Sequence, residues 1–232
     1  MNKRRLQRAA PGWTLNLTMA TLAAAALLVG CSRTPDADTT AAPEAASAES
    51  FYTARLQPLN QQITGAEASG EITFAVTGDR LTIATDARGL PPGMTHWQHF
   101  HGFADGREAS CPGADADQNG DGIIDLIETE PVSGTTMVPF NADPVAMDIP
   151  HDSYPASTSS GALHYEKTVS LGALQEAFGK AFEGRELDLD TRVVYLHGVP
   201  SESALASSVA SLGPIPAHVT LPIACGEIQR VK

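Results

Sequence analysis

The sequence predicts an all-β domain, an antiparallel β-sandwich or flattened barrel with long loops and one short helix. Three observations carry this. Short stretches of alternating apolar and polar residues recur downstream of residue 67, Gly-, Pro- and Asp-rich turns separate them, and helical spacing of apolar residues occurs once. Many short strands with a single helix favour two packed β layers around one core.

Residues 70–76 place Ile72, Phe74 and Val76 on one face, and Thr77-Gly78-Asp79-Arg80 makes a turn. Residues 81–87 alternate again with Leu81 and Ile83 inward, giving a hairpin with one wet face. Gly89-Leu90-Pro91-Pro92-Gly93 then breaks the chain before a strand-like segment at 96–101. Residues 104–160 are rich in Gly, Asp, Pro and Ser and read as long loops with short strands, such as 137–140. Strand signals return at 162–169. Leu171, Leu174, Phe178 and Phe182, with Ala177 and Ala181, follow at helical spacing, with Ser170 as N-cap and Gly184 as the stop. Residues 192–197 and 219–225 are the last two strands, and no repeat of fixed period is visible.

The amino terminus has the layout of an export signal. Lys3, Arg4, Arg5 and Arg8 form a positive head without acids, and residues 15–29 are mostly Leu, Ala, Thr and Met. This run is shorter than the roughly 20 residues that a membrane span needs. It ends Leu28-Val29-Gly30-Cys31, which resembles the lipobox of bacterial lipoproteins; the resemblance implies cleavage before Cys31 and a lipid on its thiol. Residues 1–30 are then a signal peptide. Residues 31–50 are the anchor and a small, polar, Pro-containing tether, and 51–232 the folded domain. The expected location is the bacterial cell envelope, with the membrane as partner through the lipid. Ser32 after the cysteine points to the outer membrane, by resemblance to enterobacterial sorting.

Charge excludes one function class. The chain has 15 basic and 27 acidic residues; four basic ones lie in the signal, which leaves 11 against 27, a net charge of −16 with neutral histidines. Such a surface repels nucleic acid and suits divalent cations. Cys111 and Cys225 are an even pair in a compartment where disulfides persist, and most simply form one bridge. Two buried free thiols are the alternative.

Residues 117–128, DQNGDGIIDLIE, match the twelve-residue EF-hand calcium loop. Asp117, Asn119 and Asp121 supply side-chain oxygens at positions 1, 3 and 5. Gly122 permits the sharp turn, Ile123 offers its carbonyl, and Ile124 is the apolar anchor. Asp125 acts directly or through water, and Glu128 closes the shell with two oxygens. Hard oxygen ligands at this spacing select Ca²⁺. Cys111-Pro112-Gly113 stands where a helix normally enters, so the loop reads as an isolated structural calcium clip.

His99 and His101 lie two apart on a strand and share a face. His197 ends a later strand, on the face of Tyr195 and Val193. Three neutral imidazoles from two strands are candidate ligands for Cu or Zn, and would bind Cu²⁺ most naturally in a tetragonal arrangement. His96, three before His99, faces the other way.

The residues from Gly89 to Gly93, then His99-Phe100-His101-Gly102-Phe103 and Cys111, resemble the segment of Cu,Zn superoxide dismutases with two copper histidines and the first disulfide cysteine. Residues 192–197 resemble the strand that ends in their last copper histidine, and Ala224-Cys225-Gly226-Glu227-Ile228 their terminal strand with the second cysteine. The opening hairpin and the Gly-Leu, Pro-Gly, His-x-His pattern equally resemble CHRD domains. The resemblance spans most of residues 67–228 and implies a Greek-key β-sandwich. It departs between Cys111 and the late strands. There the enzymes place a bridging histidine, two zinc histidines and a zinc aspartate; this chain has the calcium loop, with only His151 and His164 besides. Pro222 stands where the enzymes have their anion-guiding arginine, three before the second cysteine. The expectation is a Ca²⁺-binding, copper-binding, superoxide dismutase-like domain without efficient dismutase activity. The rivals are a copper-only dismutase, with His151 or His164 as a fourth ligand, and a CHRD-type adhesion or scaffold module.

Overall fold

The computed structural model describes residues 49–65 and 67–231. The signal peptide, Cys31 and residues 32–48 of the expected tether lie outside them. The last two tether residues belong to the fold: Ser50 opens the first strand, and the Glu49 N–H donates to the Val76 carbonyl at 2.7 Å.

Eight strands form the structure: β1 (Ser50–Pro58), β2 (Ser69–Thr77), β3 (Arg80–Arg88), β4 (Gln98–Gly102), β5 (Thr135–Pro139), β6 (Leu163–Ser170), β7 (Val193–His197) and β8 (Pro222–Arg230). They lie in one curled sheet in the order β5-β4-β7-β8-β1-β2-β3-β6, and all neighbours are antiparallel. The chain crosses over between β3 and β4, between β5 and β6, and between β6 and β7, and β8 returns beside β1. The all-β expectation holds.

The inner face follows from the alternation. Ile72 and Phe74 of β2 and Leu81 and Ile83 of β3 share one core with Phe100, Val138, Val194, Leu196 and Ile223 from the other half of the sheet. Phe74 meets Phe140 edge-to-face at 5.8 Å. β5 and β6 are the sheet edges and do not pair; Tyr165 of β6 bridges the seam, stacking on Phe140 at 6.4 Å and donating its hydroxyl to the Asn141 carbonyl at 2.9 Å.

Four α-helices occur among the described residues, not one: α1 (Gln61–Thr64), α2 (Leu126–Ser133), α3 (Leu171–Ala181) and α4 (Ala217–Thr220). α3 is the expected one. Ser170 caps it by accepting from the Ala173 N–H, and it buries Leu174 and Phe178, the latter against Phe100 at 6.2 Å. α2 lies in a stretch read as loop. Its start is fixed by Asp125, whose carboxylate accepts from the Ile127 and Glu128 N–H groups while Glu128 reaches back to the Asp125 N–H. α4 takes the first residues of the strand expected at 219–225, so β8 starts at Pro222.

The outer face of β4, β7 and β8 is covered as well, and this positions the site. Val193, Tyr195 and Cys225 form a second apolar cluster with Phe103 and Ala109 of the segment after β4. Arg192 is buried at the start of β7 and donates to the carbonyls of Leu187, Phe103 and Glu186. Gly102 leaves it room, since a Cβ there would lie 2.4 Å from Arg192 Nη1. The Cys111–Cys225 disulfide fastens the covering segment to β8 with Cα atoms 5.8 Å apart. It closes a loop with a sequence separation of 114. The double variant Cys111→Ala, Cys225→Ala should therefore lose about 4–5 kcal/mol of unfolding free energy. Urea denaturation with an unchanged midpoint would show that the bridge constrains nothing.

Candidate metal centre

β4 pairs with β7 in the register His99↔Tyr195 and His101↔Val193. Side chains directly opposite share a face, so both histidines stand with Tyr195 on the outer face. The His197 N–H donates to the Trp97 carbonyl at 2.8 Å, which continues the register and returns His197 to that face. A bulge between Leu196 and His197 against β8 re-aims the end of the strand. The ring centroids of His99 and His197 lie 4.6 Å apart, those of His99 and His101 4.9 Å, and those of His101 and His197 5.9 Å.

All three rings are buried, and one ligand atom from each lies within 4.8 Å of the others. Among the described residues this is the one group of three or more His, Cys, Asp or Glu side chains so placed. The backbone fixes which nitrogens face inward. His197 Nδ1 donates to the Thr220 carbonyl at 2.8 Å, leaving Nε2 free of any partner in a buried position. His101 Nδ1 points to the Gly134 carbonyl at 3.4 Å, and its Nε2 lies 3.0 Å from His99 Nδ1 and 3.2 Å from Thr136 Oγ1. Donation through the far nitrogen to a carbonyl is how a metal-binding imidazole is held in the correct tautomer. The candidate ligand atoms are His99 Nδ1, His101 Nε2 and His197 Nε2.

Tyr195 packs its ring against His101 at 4.7 Å and its hydroxyl against Ser133 Oγ at 2.5 Å, so the end of α2 supports the site from outside. A pocket of about 330 Å³ opens onto the histidines, walled by Trp97, Leu126, Ile127, Ile149 and Leu212. Glu130 is its one charged lining residue and is exposed.

The other candidates take different places. His96 is buried with Nδ1 on the His197 carbonyl at 3.0 Å and Nε2 on the Pro91 carbonyl at 2.9 Å; it braces the strand end and binds nothing else. His164 is exposed on β6 beside Asp86, and His151 is an exposed loop residue accepting from the Ser153 N–H. Neither joins the group, so the fourth protein ligand sought there is not found, and the residues do not fit a second metal beside the first.

In the 117–128 loop every expected side-chain ligand accepts from backbone. Asp117 takes the Gly120 and Gly122 N–H groups, Asn119 that of Asp121, and Asp121 that of Ile123. Glu128 Oε1 accepts from Gln118 and Asn119 and Oε2 from Asp125; Asp125 Oδ2 accepts from Ala210. Sequence reading missed Asn60. Its buried carboxamide donates to the Ile124 carbonyl at 2.8 Å and accepts from the Ile124 N–H at 2.9 Å, the pair of bonds a neighbouring strand would make. Asn60 itself has a left-handed backbone, φ 53°, which the residue type tolerates but does not announce.

No family model and no curated protein matches the chain. Among solved structures 52 chains match. One is a Cu/Zn superoxide dismutase from Brucella abortus, 18% identical, with a TM-score of 0.39, the alignment covering 77% of this chain and 99% of that one.

Burial dominates the electrostatics of the rings. It pushes His101 down to about 3 and His197 to about 4, and His99 well below the ordinary imidazole range, with the neighbouring histidines adding to the drop for His99 and His101. The sign follows. In the unfolded chain these rings protonate near pH 6.5, whereas folded His101 and His197 stay neutral far below it. The unfolded state therefore binds more protons in that window, and stability is present above pH 6.5 and lost as pH falls toward 4, by about 1.4 kcal/mol per unit for each ring. Urea midpoints of the metal-free protein should fall between pH 6.5 and 5, with a shallower slope in His101→Gln. A flat profile would mean the rings are not held neutral.

Proposed function

We propose that the chain is an extracytoplasmic metal-binding domain of superoxide dismutase-like architecture, anchored in the cell envelope through a lipid on Cys31. Copper sits at His99, His101 and His197, and Ca²⁺ rigidifies the loop of Asp117, Asn119, Asp121, Ile123, Asp125 and Glu128. Efficient dismutation is not its task.

One observation carries this reading. One ring nitrogen from each of three buried imidazoles converges in the pocket, and two of the rings are held by carbonyls so that Nε2 faces inward. The buried, unpartnered His197 Nε2 is an orphan that a metal would satisfy. Nitrogen donors suit copper. Bound copper would supply one-electron chemistry; the chain's residues hold the rings, exclude water with apolar walls and keep the imidazoles neutral.

Fast dismutation relies on cationic steering of a small anion. The pocket presents no Lys or Arg, its one charged lining residue is Glu130, and the mature chain is strongly acidic. For calcium, the support is the loop pattern together with the Asn60 clamp on Ile124 and the tie from Asp125 to Ala210, which fasten the second half of the loop to the domain.

Calorimetric titration of the domain tests both ions. Copper binding should vanish in His101→Ala and His197→Ala and persist in Asp117→Ala, Glu128→Ala. Ca²⁺ should stabilise the unmutated domain by about 2.7 kcal/mol at a hundredfold excess over Kd, and that gain should vanish in the loop variant. Copper binding unaffected by either histidine change overturns the copper reading, and equal melting temperatures in chelator and in excess Ca²⁺ overturn the calcium one.

A further inference from the structure

We infer that the surroundings of the histidine triad select copper as Cu⁺ over Cu²⁺, so that the site retains the reduced ion instead of cycling it. The inference rests on the copper reading above and specifies the ion that the pocket suits.

The argument is a charge count. The three ligands are neutral imidazoles. The groups that orient them are neutral too: the Thr220 carbonyl behind His197 and the Gly134 carbonyl behind His101. The other polar side chains lining the pocket beside the rings are the hydroxyls of Thr135, Thr136 and Thr220, and the ring packed on His101 is that of Tyr195, whose hydroxyl meets Ser133 Oγ. Among the described residues no carboxylate hydrogen-bonds to any of the three rings, and Glu130, the one carboxylate on the pocket lining, is exposed and screened by water.

An ion in this pocket thus keeps its full charge. The cost of transferring an ion from water to an apolar setting grows with the square of its charge, so Cu²⁺ loses roughly four times what Cu⁺ loses. Divalent sites offset that loss with anionic ligands or carboxylates hydrogen-bonded behind the imidazoles. Here neither is present. Coordination number points the same way. Cu²⁺ prefers a tetragonal set, and the described residues converge only three nitrogens. The wall offers Trp97, Leu126, Ile127, Ile149 and Leu212 where further ligands would stand. Two of these, Ile127 at 54% and Leu212 at 47% exposure, are among the three exposed large hydrophobics of the described residues, so the mouth itself is apolar.

The test is competition under anaerobic conditions, Cu⁺ against a cuprous chelator and Cu²⁺ against an amino-acid chelator, with the reduction potential of the loaded protein as the second readout. The purified domain should hold Cu⁺ at least about a hundredfold more tightly than Cu²⁺, the scale expected for leaving a buried charge uncompensated. Thr136→Asp, which places a carboxylate beside His101 Nε2, should narrow that preference by about tenfold or more and lower the potential. Leu212→Glu at the exposed rim should act in the same direction by less, and it serves if Thr136→Asp does not fold. Cu²⁺ bound as tightly as Cu⁺ by the unmutated domain, or a preference unmoved by either carboxylate, overturns the inference while leaving the copper reading intact. Failure of the unmutated domain to bind either ion overturns the copper reading itself.

Discussion

The antiparallel pairing of β4 with β7 is the constraint on which the candidate centre depends. Because His99 faces Tyr195 and His101 faces Val193, two strands far apart in sequence deliver three imidazoles to one patch of the outer sheet face. Shifting that register by one residue would turn His99 and His101 into the core and expose Gln98 and Phe100. The inner face resists such a slip. Phe100 packs against Phe140 and Phe178, and Gln98 hydrogen-bonds to Thr85 and to the Phe140 carbonyl. The core therefore holds the candidate ligands in place from behind.

A histidine cluster on an outer sheet face would ordinarily be wet and weakly specific. Here the segment from Phe103 to Gly134 folds back over it, held by the disulfide, by Arg192 on the Phe103 carbonyl and by Ser133 between Tyr195 and the Ser110 carbonyl. The cover is what desolvates the rings and makes the neutral imidazole the stable form of each. The acidic loop belongs to the same cover. It leads directly into α2, and α2 ends at the carbonyl that orients His101. Rigidity in the loop and orientation at the triad are thus properties of one continuous piece of chain.

Much of this was legible in the residues. The β2–β3 hairpin shows clean alternation, the α3 helix shows its period and its Ser170 cap, and the strand parity of His99, His101 and His197 predicted their common face. Other elements were not. β1 reads SFYTARLQP, where Thr, Arg and Gln interrupt the apolar pattern because only Ala54 and Leu56 are fully buried. α2 carries Pro131 and shows no apolar stripe; its existence depends on the reciprocal Asp125–Glu128 cap, whose residues the calcium pattern already accounts for. The clamp from Asn60 joins groups 64 positions apart, and no local pattern encodes it. Local periodicity specified the scaffold, whereas the cover over the site is built from caps, carbonyls and long-range side-chain bonds.

The central claim is that one copper ion is held by the three buried imidazoles. X-ray absorption at the copper edge of the loaded protein addresses it most directly. The account predicts nitrogen ligands near 2.0 Å, the usual metal–imidazole distance, with the outer-shell scattering of three rings, falling to two in His197→Ala. A shell dominated by oxygen, or a spectrum unchanged by His197→Ala, would contradict it.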